Sequence, residues 1–168
     1  MTPLPIEDQH HLNAAEGWLE LGNPLEASEE LEKVTPSLRA HPAVLILRWN
    51  IYAMAKNWEA CIDLAKTLTQ LVPDREQGWI HLGNSLYFSG RTQEAYDCVK
   101  PVLDRFPQTP ALPYNLACYA CQLGNLEEAR SWLEKALALD AGQKLKQMAL
   151  EDPDLEPLWA ISRKHEPS

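Results

Sequence analysis

The sharpest chemical signal in the chain is a pair of cysteines three residues apart, Cys118 and Cys121. On a helix such a pair shares one face, a spacing compatible with joint metal ligation or disulfide exchange. A redox Cys-x-x-Cys normally sits at a helix N-terminus, where the dipole lowers the thiol pKa. Here the helix is expected to begin near Pro110, which puts the pair in mid-helix, and two ligands are too few for structural zinc. Small packed or groove-facing residues are the simpler reading. His10 and His11 follow Asp8, but neighbours on a helix point about 100° apart, which disfavours joint ligation. They are read as solvated histidines near a terminus. No glycine-rich phosphate loop, His-Glu-x-x-His or Gly-x-Ser-x-Gly occurs. The expectation is a non-enzyme with no catalytic residues, no metal and no cofactor.

The elements that would carry these residues are helices. Of 168 residues, Leu and Ala account for 45 and Val and Ile for only 11. That balance disfavours sandwiches, barrels and most parallel α/β folds. A hydrophobic content of 45% with six Trp excludes a disordered chain. The net charge of −9 argues against general nucleic-acid binding, which needs Lys and Arg to displace counterions. The N-terminus has neither the basic start nor the apolar core of a secretory signal. The longest charge-free stretch, Phe106 to Leu126, is broken by Pro107, Pro110 and Pro113 and rich in amides, so no membrane insertion is expected. These features read as a cytoplasmic protein, and the four cysteines need not form a disulfide framework.

A repeat runs through the chain. Gly22-Asn-Pro-Leu-Glu-Ala27, Lys56-Asn-Trp-Glu-Ala-Cys61, Gly90-Arg-Thr-Gln-Glu-Ala95 and Gly124-Asn-Leu-Glu-Glu-Ala129 follow one another at steps of 34 residues. Other columns keep the register: Ala15, Trp49, Gly83 and Ala117 are mostly small, while Leu31, Ala65, Val99 and Leu133 are apolar. On both sides of each turn, apolar residues recur at helical spacing, as in Leu25, Leu31, Val34 and Leu38. Gly22, Gly90 and Gly124 can adopt the left-handed conformation that ends a helix, and Pro24 suits the first turn of the next. Each unit is therefore a helical hairpin, and stacking hairpins builds a continuous core.

Trp79-x-x-Leu82-Gly83-x-x-Leu86, then Ala95-x-x-x-Val99 and Pro107, resembles the tetratricopeptide-repeat (TPR) pattern, and Leu116-Ala117 with Ala129-x-x-x-Leu133 repeats part of it. The second unit departs, with Trp49 where the family prefers Gly or Ala, Arg48 before it, and Lys56 in place of the turn glycine. The first departs at Arg39, where proline is usual. Trp49 implies a wider helix angle or a local packing change. The resemblance implies an all-α, right-handed superhelix of four hairpins with C-terminal capping helices. The expected organisation is an N-terminal extension 1–7, repeats 8–41, 42–75, 76–109 and 110–143, an incomplete repeat with capping helix 144–164, and a tail 165–168.

In this family the first helix of each hairpin lines a concave groove. The resemblance then implies Leu12, Glu16, Leu19 and Glu20 as groove residues in the first unit, and Ile46, Asn50, Ala53 and Met54 in the second. In the third they would be Gln77, Ile80, Asn84, Tyr87 and Phe88, and in the fourth Tyr114, Cys118, Cys121 and Gln122. Asn50 and Asn84 are equivalent, and a side-chain amide can both donate to and accept from an extended peptide backbone. The family subgroup that clamps chaperone C-terminal carboxylates needs basic groove residues. Here Leu12, Glu16, His81, Ala111 and Asn115 stand in those places, so that ligand is not implied.

Residues 1–32 carry eight acidic side chains and no Lys or Arg, which leaves −1 for the rest of the chain. This is either a solubilising end or a rim that steers a basic partner. The expected function is a protein-interaction module or adaptor that binds an extended or helical segment of another protein or peptide, with a basic flank as one option. Alternatives are a secretion-type or folding chaperone that shields an apolar client, and a self-associating scaffold using Trp58, Trp132 or the end helices. The expected state is a monomer or weak homodimer.

Overall fold

The computed structural model describes residues 3–140 and 144–163, with the backbone alone for 161–163. The chain is all-α; among the described residues there is no strand. Four helix pairs come first: α1 (Ile6–Glu20) with α2 (Pro24–Lys33), α3 (Pro42–Met54) with α4 (Trp58–Leu71), α5 (Glu76–Phe88) with α6 (Thr92–Val99), and α7 (Ala111–Gln122) with α8 (Leu126–Leu139). Two further helices follow, α9 (Lys144–Glu151) and α10 (Glu156–Arg163), with a 3-10 turn at Pro153–Leu155 between them. None of the described helices is long and apolar enough to cross a membrane.

One turn geometry closes the first helix of each pair. Gly22, Lys56, Gly90 and Gly124 have φ of 73°, 54°, 84° and 82°. Each donates its N–H three residues back, and the next residue donates five residues back, as in Gly22 N–H to Leu19 O (2.9 Å) and Asn23 N–H to Trp18 O (2.8 Å). This is a Schellman motif, which satisfies carbonyls the helix end leaves open. The Lys56 turn makes the same two bonds, Lys56 N–H to Ala53 O and Asn57 N–H to Tyr52 O, both 2.9 Å, without glycine's freedom. Asn23 and Asn57 then cap the second helices of their pairs, accepting from the N–H of Glu26 and Ala60 at 3.3 Å.

The chain divides within α5 into two compact units, Met1–His81 and Leu82–Ser168. In the first, Leu12, Ala15, Ala27, Leu31, Val34, Val44, Leu47 and Ile51 form the core. Asp8 is buried and pins the start of α1 to the end of α2. Its carboxylate accepts from the Thr35 N–H (2.7 Å) and the Thr35 hydroxyl (3.2 Å). Arg39 donates to the carbonyls of Val34 (3.3 Å) and Glu32, which closes the end of α2 with a side chain where proline is usual in the family. Glu32 also pairs with Arg39 (2.9 Å) and Arg48 (2.7 Å).

In the second unit α6 is short. Pro101 lacks the N–H that an α-helix would need there, and residues Lys100–Arg105 wind on as a 3-10 helix. Gly83 is the small residue that close packing requires: a Cβ there would lie 2.7 Å from Val99 Cγ2 and 2.9 Å from the Tyr119 hydroxyl. Helix α7 is buried almost all round, from Leu112 to Cys121 except Asn115. The segment expected as a cap, 144–164, holds α9, the Pro153–Leu155 turn and α10 as far as Arg163; Lys164 lies outside the described residues. Leu155 and Leu158 are fully buried, and the Trp159 indole N–H donates to Ala149 O at 3.0 Å.

Candidate functional site

Helices α1 and α3 build an open cleft in the first unit. Glu16, Leu19 and Glu20 lie one turn apart on α1, as do Leu47, Asn50, Ala53 and Met54 on α3, and together they line a space of about 540 Å³. Three of the expected groove residues, Glu16, Asn50 and Met54, meet here with their expected neighbours Leu19, Glu20 and Ala53. The two carboxylates are exposed, Met54 is 46% exposed, and no cation lines the cleft among the described residues. The cleft thus offers apolar area, an amide and two negative charges.

Other expected groove residues are placed differently. Leu12 is 4% exposed and belongs to the core, because it lies on the α1 stripe that packs against α2 and α3. Ile46 and Gln77 line a separate recess of about 90 Å³ beside Leu68 and Val72. Ile80 is half-buried, while Phe88 is 55% exposed, its ring tilted against Tyr87 at 5.4 Å. Asn84 differs from Asn50 despite the shared repeat position. Its Oδ1 accepts from Asn115 Nδ2 (2.9 Å) and the Tyr119 hydroxyl (3.0 Å), a use of the amide within the helix stack.

The fourth-unit residues are covered. Tyr114 donates its hydroxyl to Asp152 Oδ2 at 2.7 Å, Cys118 Sγ lies 3.8 Å from the same oxygen, and Gln122 Nε2 donates to the Asp154 carbonyl at 2.8 Å. Burial, and then the nearby Asp154 carboxylate, raise the pKa of the Tyr87 hydroxyl. Tyr114 and Cys118 are each 6% exposed, so an incoming peptide meets the Asp152–Leu155 turn first. Asp152 and Asp154 were not expected in the groove. The signal for them was the uncharged sequence of α7: a helix apolar all round must be buried all round.

The cysteines are free thiols, and burial raises the pKa of each: Cys61 to about 11, Cys98 to about 12, Cys118 further, and Cys121 upward as well. The charges of Asp152 and Asp154 add to the effect at Cys118. This is the reverse of what a nucleophilic or redox thiol needs. Cys118 Sγ and the carboxylates of Asp152 and Asp154 lie within 4.8 Å of one another, but the Asp152 carboxylate already accepts from the Tyr114 hydroxyl. His10 is exposed, His11 Nδ1 bonds Glu30 at 2.9 Å, and Asp8 is held by Thr35, so these three do not converge.

The second unit also holds a pocket of about 530 Å³ that the sequence did not single out. It lies between the Lys100–Arg105 turn and α8, with Leu103, Phe106, Pro107 and Trp132 among its walls. Pro101, which cuts α6 short, was its available signal. Trp132 and Trp58 are half-buried, and the Trp132 indole N–H donates to the Tyr96 hydroxyl at 3.3 Å.

The helix pairs and their turns agree with solved structures of TPR type. MamA (MSR-1) is 22% identical with a TM-score of 0.65, the match covering 80% of this chain and 78% of that one. TTC0263, a thermophilic TPR protein of Thermus thermophilus, is 19% identical with a TM-score of 0.70, covering 94% of this chain and 89% of that one. A second MamA structure is 14% identical with a TM-score of 0.69, covering 94% and 87%. At these identities the likeness establishes the fold, an all-α TPR-type arrangement. No curated protein sequence matches the chain. A family model described as coatomer epsilon subunit matches residues 32–149, more than half of the chain.

Proposed function

The chain belongs to the coatomer epsilon subunit family, and from that premise we propose that it is a non-enzymatic protein-binding module whose α1–α3 cleft takes a segment of a partner protein. The family description names a subunit, a part whose role is to join others. The observation that carries the reading is the cleft itself, in which apolar Leu19, Leu47 and Met54 lie beside Asn50, Glu16 and Glu20. Apolar anchors supply affinity, an amide can bond a peptide backbone, and carboxylates select what flanks the anchor. The partner of this reading carries an apolar anchor next to Lys or Arg, since the first 32 residues hold eight acids and no basic residue. The four 34-residue repeats are its proposed building units, and the cytoplasm its proposed compartment.

Affinity capture with the full chain beside a Glu16→Gln, Glu20→Gln, Asn50→Ala variant tests this. A protein retained by the unsubstituted chain and lost by the variant, with binding that weakens as salt rises, supports the cleft. An identical set of captured proteins removes the cleft from consideration and moves the working surface elsewhere.

A further inference from the structure

The chain's own acidic turn lies on the face of α7 that the repeat register assigns to ligand. Tyr114, Cys118 and Gln122 form an i, i+4, i+8 row along α7, and each meets the turn through a polar atom. The turn carries bonds of its own: Pro153 fixes its backbone, and Asp152 Oδ1 accepts from the Asp154 N–H at 2.9 Å. Leu155 follows and is fully buried. Two acidic side chains, a proline-fixed bend and one apolar anchor are the features of a short recognition motif, seated on neutral hydroxyl, thiol and amide groups.

We propose that the Tyr114–Cys118–Gln122 row is a docking site for an acidic turn of the form Asp-x-Asp-Leu in a partner protein, which the chain's own Asp152–Leu155 occupies until such a partner displaces it. The inference rests on reading the first helix of each pair as a binding face. Its chemistry is opposite to that of the α1–α3 cleft: the second unit takes a carboxylate-bearing segment, the first a basic one. The tethered turn competes at an effective concentration of about 1 mM, so a free segment of equal quality loses unless the tethered one is weakened.

A fluorescent peptide with the sequence of residues 151–160 is the probe. It is titrated by anisotropy into the full chain and into the full chain carrying Asp152→Asn and Asp154→Asn. The substitutions remove the charge from the tethered competitor, and the expected result is binding about tenfold tighter than to the unsubstituted chain. Adding Tyr114→Phe should reverse that gain. Equal binding to both chains, or none to a variant that keeps its helical circular dichroism, overturns the proposal. If the variant loses its helices, alkylation of Cys118 in the unsubstituted chain decides. A detachable turn exposes the thiol by local opening, at a rate nearly flat in low urea, whereas a permanent cap exposes it with the steep urea dependence of global unfolding and overturns the proposal. A concentration-dependent dimer that the peptide dissolves also overturns it, since the occupant would then be a second copy. Glu16, Glu20 and Asn50 variants leave α7 untouched, so failure of the cleft and failure of this site are told apart.

Discussion

The indole of Trp49 lies flat on the imidazole of His81, their centroids 4.0 Å apart and the planes 21° from parallel. The equivalent positions one repeat either side hold Ala15 and Gly83, and a bulky residue there implied a wider helix angle or a packing change. The outcome is a packing change: the large ring is accommodated by a stack with the first helix of the next pair.

The burial of His81 makes stability depend on pH. Burial pushes the His81 pKa down from 6.5 to about 4, so the folded ring is neutral. The unfolded chain binds the proton first, so the contribution is complete above about pH 6.5 and is lost as pH falls toward about 4. Urea unfolding at pH 7, 5.5 and 4.5 should show His81→Phe to be less acid-sensitive than the unsubstituted chain, by up to about 3 kcal/mol. Parallel pH curves would show that His81 does not cause the loss.

Lys56 should be a site of easy stabilisation. It holds φ at 54° in a position where the other three pairs use glycine. A side chain in that conformation costs roughly 1–2 kcal/mol, and glycine's greater unfolded-state entropy returns part of it. Lys56→Gly is expected to raise stability by about 0.5–1 kcal/mol in chemical denaturation. A drop would mean that the lysine side chain contributes contacts that outweigh the strain.

Gly83→Ala should do the reverse. The added methyl would meet Val99 Cγ2 at 2.7 Å and the Tyr119 hydroxyl at 2.9 Å. Overpacking of this kind costs about 1–3 kcal/mol, measurable as a lowered Tm. An unchanged Tm would show that Val99 can turn aside freely.

The two asparagines separate binding from folding. Asn84→Ala leaves Asn115 and Tyr119 without their shared acceptor and should cost about 1–3 kcal/mol. Asn50→Ala, in the open cleft, should change stability by no more than about 0.5 kcal/mol while weakening partner binding. If both variants melt alike, the Asn84 bonds are weaker than their 2.9 Å and 3.0 Å lengths imply.

Turns and helix pairs were legible because they are local: a left-handed residue every 34 positions, asparagine after it in three of the four turns, and apolar stripes between. Lys56 shows why the register was more informative than residue type, since it adopts the turn without being glycine. The residues that line the α1–α3 cleft, Glu16, Leu19, Asn50 and Met54, were ones the family resemblance implied for a groove, and they lie one turn apart on their helices. Leu12, which the resemblance implied for the groove, is in the core because it lies on the α1 stripe that packs against α2 and α3. The fate of α7 was not visible inside any repeat. Asp152 and Asp154 reach it from more than thirty residues later, across a segment that breaks the 34-residue pattern. Only the lack of charge in α7 hinted that something must cover it.

Lys56 has one more consequence, for proteolysis. It is an exposed lysine at a tight turn, so it is chemically a trypsin site. A protease needs several residues of extended chain, and the turn holds Lys56 and Asn57 bonded back onto α3. Where opening is fast compared with cutting, the cleavage rate there reports how often the first unit releases that turn.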